Sequence, residues 1–224
     1  MSSFISILQN IQNVKVIDSS IDYSEYIALD LSISNKDLDN IDLSNAEKFE
    51  DFIEHYLLTN NSKIAFGGYN EIRNIYKRSL VFKNDISDER NIHIGLDLWI
   101  RAGTIVLAAL DGKVHSFQNN KSLGDYGPTI ILEHEIKNVK FYTLYGHLSE
   151  ESLIDLDIGK PFSKGEKIAT LGSFPINGDY APHLHFQIIK NIVNSKGDYP
   201  GVCNIKDLDF YLENCPNPNL LLKI

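Results

Sequence analysis

The chain has 224 residues, 43% of them hydrophobic, 23% charged and 10% aromatic, and 30 acidic against 21 basic side chains give a formal net charge of −9. That balance supports one sizeable core with added elements and excludes a wholly disordered or fibrous chain. An acidic surface repels phosphate backbones and no apolar run approaches the roughly 20 residues that span a bilayer, so neither nucleic acid nor membrane is expected as a partner.

At the amino terminus Phe4, Ile7, Leu8 and Ile11 have helical, amphipathic spacing. No positive charge precedes Lys15 and polar residues interrupt the apolar ones, so no secretory leader is legible. The expectation is a cytoplasmic protein; the alternative is an exported one whose native amino terminus is missing from this sequence. Val14–Ile17 and Tyr26–Leu29 are β-prone. Ser44-Asn45-Ala46-Glu47 matches a capping box, and Phe49, Phe52, Ile53, Tyr56 and Leu57 behind it predict an amphipathic helix ending near Asn60-Asn61, with His55 on its solvated face.

From about residue 64 the texture changes to glycine-punctuated short apolar runs. Strands are expected at Ile92 to Ile100, Thr104 to Val114, Thr129 to His134, Val139 to Tyr145, Lys167 to Leu171 and His183 to Ile189. Turns are marked by Asp111-Gly112, Gly124-Asp125, Lys164-Gly165 and Asn177-Gly178. Many short strands without intervening helices imply an antiparallel sandwich or barrel. The tail reads as a wrapped extension with a helix around Asp207 to Glu213. Cys203 and Cys215, too few for a disulfide framework, read as buried thiols.

Histidines carry the chemistry. His183-Leu184-His185 on a strand puts both imidazoles on one face, because side chains repeat every two residues. Alone, His-x-His is a weak signal. His93 and Asp97 would lie about 13 Å apart on a straight strand, too far to share one ion, unless Gly95 introduces a bend or bulge; the other reading is a surface histidine and a strand-end aspartate. Tyr145-Gly146-His147-Leu148 adds a histidine at the end of an apolar strand. A hydrolytic zinc site needs three protein ligands, one open position and nearby groups to move protons, and four histidines with one aspartate match that inventory.

The order His-x-x-x-Asp, Tyr-x-His-Leu and Pro-His-Leu-His-Phe resembles the lysostaphin-type (β-lytic) zinc metallopeptidase family, whose members cut peptidoglycan cross-bridges. Gly103-Thr104 before Asp111-Gly112-Lys113-Val114, Tyr126-Gly127 before Ile130-Ile131-Leu132-Glu133-His134, and the Gly159 to Ala169 segment agree with it, so the resemblance covers roughly residues 64–190. It implies His93, Asp97 and His185 as ligands of one Zn²⁺ per chain, with His147 and His183 as the unliganded pair that moves protons and stabilises the oxyanion. The fold class expected is α+β: an antiparallel β-sandwich catalytic domain (64–190), a small mixed α/β amino-terminal subdomain (1–63) that is an accessory or cleft-covering region, and a carboxy-terminal extension (191–224). The function implied is zinc-dependent endopeptidase action on peptidoglycan-like or other small flexible peptides; the alternative is a non-catalytic, metal-stabilised binding module on the same scaffold.

The chain also departs from the family. Ser173 to Ala181 replaces a short turn with a longer, more apolar loop that would border the cleft, and Gln187 stands where the family usually has Glu. Phe66-Gly67-Gly68-Tyr69 and Arg73 resemble the motif that opens the family domain only loosely; Tyr69 reads equally as an oxyanion aid or a core tyrosine. His115 is expected at the surface and His134 as structural.

Overall fold

The structure is a computed structural model that describes residues 3–75 and 89–224. It is mostly β. Its main sheet has eight strands in the order β1-β2-β5-β12-β9-β8-β7-β10, namely β1 (Tyr26–Ala28), β2 (Ile64–Gly67), β5 (Leu96–Trp99), β12 (His183–Ile189), β9 (Val139–Gly146), β8 (Gly127–Ile136), β7 (Gly112–Asn120) and β10 (Pro161–Phe162). All neighbours are antiparallel except β1, which runs parallel to β2 at the edge. Within 64–190, where antiparallel pairing is expected, every pair in this sheet is antiparallel; β1 comes from the amino-terminal region and runs parallel because the chain returns to β2 through an intervening helix. That helix, α2 (Ala46–Thr59), begins one residue later than its capping box predicts: the side chain of Asn45, not Ser44, accepts from Lys48 N at 2.9 Å. A second sheet pairs β6 (Ile105–Leu107) with β11 (Lys167–Thr170), and a third joins β13 (Val202–Cys203), β4 (Ile92–His93) and β3 (Glu71–Ile72). The run expected as one strand from Thr104 to Val114 is divided between β6 and β7.

Two-residue alternation sorts the sheet into two buried faces. Leu96, Leu98, Ile130, Leu132, Phe141, Tyr145, Leu184, Phe186 and Ile188 face the principal core, which they share with Val106, Ile168 and Ala169 of the second sheet. Leu8, Val14, Val16, Ile17 and Ile21 fill the same core, and Ile17 bridges to Val106. Helix α1 (Phe4–Asn10), capped by Ser3, supplies Leu8 through its buried face. Residues near the amino terminus are thus structural members of this core.

The opposite face of the sheet carries Asp97, His183, His185 and Gln187. Two apolar clusters flank it: one of Leu31, Phe49, Ile53, Trp99, Tyr180 and Val202, the other of Ile94, Tyr126, Ile131, Leu144, Tyr199 and Cys215. Helix α3 (Leu208–Asn214) forms where expected, and both cysteines are buried free thiols. Among the described residues no helix is long and apolar enough to cross a membrane.

Candidate metal centre

The bend at Gly95 makes the site. The run expected as one strand from Ile92 to Ile100 breaks at Ile94-Gly95, so β4 leaves for the third sheet while β5 stays in the main one. His93 thereby folds back over Asp97 and its Nε2 lies 3.2 Å from Asp97 Oδ1. Gly95 does not need a positive φ; it is required by proximity, since a Cβ there would sit 2.3 Å from His185 Cε1. His185 pairs directly across from Asp97, and its Nδ1 is 3.1 Å from the same Oδ1. Among the described residues, His93, Asp97 and His185 are the group of metal-ligand type whose donor atoms converge, all within 4.8 Å.

Surrounding groups decide which atoms face inward. Gly68 O lies 2.9 Å from His93 Nδ1, and a carbonyl only accepts, so Nδ1 carries the proton and Nε2 the lone pair. Gln187 Oε1 lies 3.0 Å from His185 Nε2 and Asp97 Oδ1 lies 3.1 Å from its Nδ1, so an acceptor stands at each nitrogen of that ring. With the proton on Nε2, its Nδ1 and His93 Nε2 face each other at 2.9 Å beside the carboxylate oxygen, an arrangement that a bound cation would stabilise. Two imidazoles and one carboxylate suit zinc in a three-ligand site, and are too nitrogen-rich for calcium or magnesium.

Arg73 is buried against this group. Its Nη1 donates to Asp97 Oδ2 at 2.6 Å and its Nε to Glu71, while the guanidinium covers the Trp99 ring at 5.5 Å. Burial works against the Asp97 charge, but the attraction of His93 in its protonated form and of Arg73 outweighs it and holds the carboxyl well below its usual range. Asp97 thus offers Oδ1 to the histidines while Oδ2 is taken by Arg73. Burial pushes His93 down to about 4, so it stays unprotonated near neutral pH.

His147 and His183 lie alongside with ring centroids 4.2 Å apart. His147 follows the end of β9 in the left-handed region (φ 61), a conformation costing about 1–2 kcal/mol for a non-glycine residue. Its main chain is clamped by His147 N donating to Tyr126 O and Gly172 N donating to His147 O, both at 2.9 Å. Nδ1–H of His147 donates to Asn177 O and Nδ1–H of His183 to Ala181 O, each at 2.7 Å. Both acceptors belong to the 173–181 loop. Burial holds both rings below their ordinary pKa; charge on His183 and His185 repels a proton on His147, and charge on His185 and Arg73 repels one on His183. His183 also stacks on Trp99 at 5.7 Å.

The other histidines lie away from this centre. His134 is buried, with Nδ1–H donating to Asp111 O at 2.8 Å and Nε2 beside Thr143 Oγ1 at 2.7 Å. His115 is half-buried against Tyr142, and His55 is exposed on α2. Tyr69 is half-buried, and its Oη donates to Cys215 O at 2.7 Å. Sequence reasoning missed the roles of Arg73, of the Asn177 and Ala181 carbonyls, and of Gln187. For Gln187 a signal existed: the two-residue repeat that joins His183 to His185 continues to it. Backbone carbonyls carry no sequence signal.

The centre opens into a cleft of about 770 Å³, counting the solvent at its mouth. Leu31, Phe49, Ile75 and Trp99 supply apolar lining; Asp125, Asp198 and Arg90 supply charge.

Against known proteins, a family model described as peptidase family M23 matches residues 91–196. No curated protein matches the chain. Among solved structures, the lysostaphin catalytic domain of Staphylococcus simulans is 25% identical, with 69% of this chain and 95% of that one covered and a TM-score of 0.40. A zinc-containing peptidase from Vibrio cholerae is 30% identical over 47% of this chain and 29% of its own, at a TM-score of 0.37. A Pseudomonas aeruginosa protein provisionally designated peptidase M23 is 21% identical over 57% of this chain and 42% of its own, at 0.38. The chain therefore spans less than half the length of the last two. Residues 91–196, with the His-x-x-x-Asp and His-x-His segments inside them, match the model of peptidase family M23, in agreement with the resemblance to the lysostaphin-type peptidases read from the sequence.

Proposed function

We propose that the chain is a zinc-dependent endopeptidase that hydrolyses peptide bonds in peptidoglycan-like or other small flexible peptides. The observation that carries this is the convergence of His93 Nε2, His185 Nδ1 and Asp97 Oδ1, at 2.9, 3.1 and 3.2 Å from one another. These three atoms would hold one zinc ion. A bound zinc ion supplies Lewis acidity toward a substrate carbonyl and lowers the pKa of water toward neutrality.

The remaining chemistry belongs to the histidine pair. His147 and His183 each keep Nδ1–H on a loop carbonyl, so each presents Nε2 as a proton acceptor. A ring that takes a proton at Nε2 becomes a donor there, able to stabilise a developing oxyanion or to pass the proton to the leaving amine. At a centroid spacing of 4.2 Å, charge on one ring opposes charge on the other, so the pair carries one proton at a time. The Asn177 and Ala181 carbonyls stabilise whichever ring is charged. Arg73 keeps Asp97 ionised throughout, and the flanking apolar clusters keep the pair out of bulk water.

The test is zinc stoichiometry with turnover of glycine-rich and D-residue-containing peptides. Wild type is expected to hold one zinc per chain and His185→Ala to lose it. His147→Ala is expected to keep the zinc and lose about 10²–10⁴-fold in kcat. Failure of the wild-type chain to bind zinc after reconstitution, or undiminished turnover by His147→Ala, would overturn the reading.

A further inference from the structure

Strand β12 presents His183, His185 and Gln187 on one face, and Gln187 is wholly buried there beside an apolar cluster that includes Leu144, Ile189 and Cys215. A buried amide in such surroundings has to satisfy both of its ends. Gln187 does so in only one orientation. Its Nε2 donates to Pro200 O at 3.1 Å and to Cys215 Sγ at 3.2 Å, which leaves Oε1 facing His185 Nε2 at 3.0 Å. Rotating the amide by half a turn would set its oxygen against the Pro200 carbonyl, which only accepts. Pro200 and Cys215, both in the segment after residue 196, therefore choose the orientation.

The orientation has a chemical consequence for the histidine. An acceptor at Nε2 draws the proton to that nitrogen, against the pull of Asp97 Oδ1 at 3.1 Å from Nδ1, and leaves Nδ1 as the lone-pair atom directed at Asp97 and His93. We propose that Gln187 is a positioning residue for the metal centre: pinned by Pro200 and Cys215, it holds His185 in the Nε2-protonated tautomer and so presents Nδ1 as a ligand. The proposal rests on the reading of His185 as a zinc ligand. It also gives the carboxy-terminal extension, whose Val202 pairs with His93, a second route to the centre. Tyr126 Oη, 3.4 Å from His185 Nε2, is a longer alternative contact, so loss of Gln187 weakens the tautomer preference without abolishing it.

The test compares Gln187→Leu and Gln187→Glu with wild type, using zinc(II) affinity by chelator competition and the His185 tautomer by ¹⁵N chemical shifts in the metal-free protein. Leucine preserves apolar packing and removes the acceptor; glutamate keeps the acceptor and puts a carboxyl group into an apolar site. A positioning role predicts that Gln187→Leu loses zinc affinity on the order of 10–100-fold and mixes the tautomers, while Gln187→Glu stays within a few-fold of wild type. A packing role predicts the reverse order. Should Gln187→Leu fail to fold, Gln187→Met, closer in shape, takes its place with the same expectation. Wild-type affinity in the leucine or methionine variant, or a metal-free wild type with the proton on His185 Nδ1, would overturn the proposal while leaving the zinc centre standing. A wild-type chain that binds no zinc would overturn the centre and the proposal together.

Discussion

Gly95→Ala isolates the bend that assembles the centre. The glycine does not occupy the left-handed region, so alanine adopts its backbone without strain and the whole effect is steric. The added Cβ would stand 2.3 Å from His185 Cε1, 2.5 Å from Nε2 and 3.0 Å from Nδ1. Restoring an ordinary contact of about 3.5 Å requires the ring or the bend to retreat by about 1 Å. His185 is buried between Tyr126 and His93, with ring centroids at 5.0 and 4.8 Å, so it has little room to yield. A misplacement of about 1 Å at reacting groups costs on the order of 10²-fold, and overpacking a filled core costs about 1–3 kcal/mol. Gly95→Ala is therefore expected to lower kcat/KM on cleavable peptides about a hundredfold, to weaken zinc binding and to lower the apo-protein Tm by about 2–4 °C for each kcal/mol lost. Zinc competition, turnover and calorimetry on one preparation read all three. Wild-type zinc affinity and turnover in Gly95→Ala would refute the reasoning, because the ring would then have moved without consequence for the ligand set.

Arg73→Met removes the partner of a buried carboxylate that now accepts at 2.6 Å, so about 3–5 kcal/mol of stability should be lost in the metal-free state; urea unfolding with and without zinc measures it, and a loss below 1 kcal/mol would deny Arg73 this role. The pH dependence of the metal-free protein has a definite sign. Burial depresses His93, to about 4, and also His134, His147 and His183, so the unfolded chain binds more protons than the folded one below about pH 6.5. Stability is then complete above pH 6.5 and falls as pH drops toward 4, by up to about 1.4 kcal/mol per pH unit for each histidine; an unfolding midpoint flat across that window in chelator would contradict it. Deleting residues 1–62 strips Leu8, Val14, Val16, Ile17 and Ile21 from the principal core, and each buried aliphatic side chain contributes about 1.5–3 kcal/mol. The truncated chain should fail to unfold cooperatively in calorimetry, and a sharp transition near the wild-type Tm would show that the sheet closes without it.

Local pattern was enough to read most elements of this chain. The spacing of Phe49, Phe52, Ile53, Tyr56 and Leu57 marks α2, the apolar run from His183 to Ile189 marks β12 to the residue, and Gly95 between His93 and Asp97 marks the bend. These signals are short-range: helical and strand periods, and the closeness that only glycine permits, are written in neighbouring residues. His93, Asp97, His147, His183 and His185 were likewise nameable from motif spacing, and the fold brings them into one cluster. What tertiary structure decided is everything that depends on residues distant in sequence. The parallel edge formed by β1, the seat of the amino-terminal residues in the principal core, and the choice of Asn45 over Ser44 as cap lie outside any local pattern. The same holds for which nitrogen of each histidine faces inward. That choice falls to the Gly68, Asn177 and Ala181 carbonyls and to an amide oriented by Pro200 and Cys215, because a neutral imidazole places its proton wherever the nearest acceptor stands, and only the folded chain brings that acceptor there.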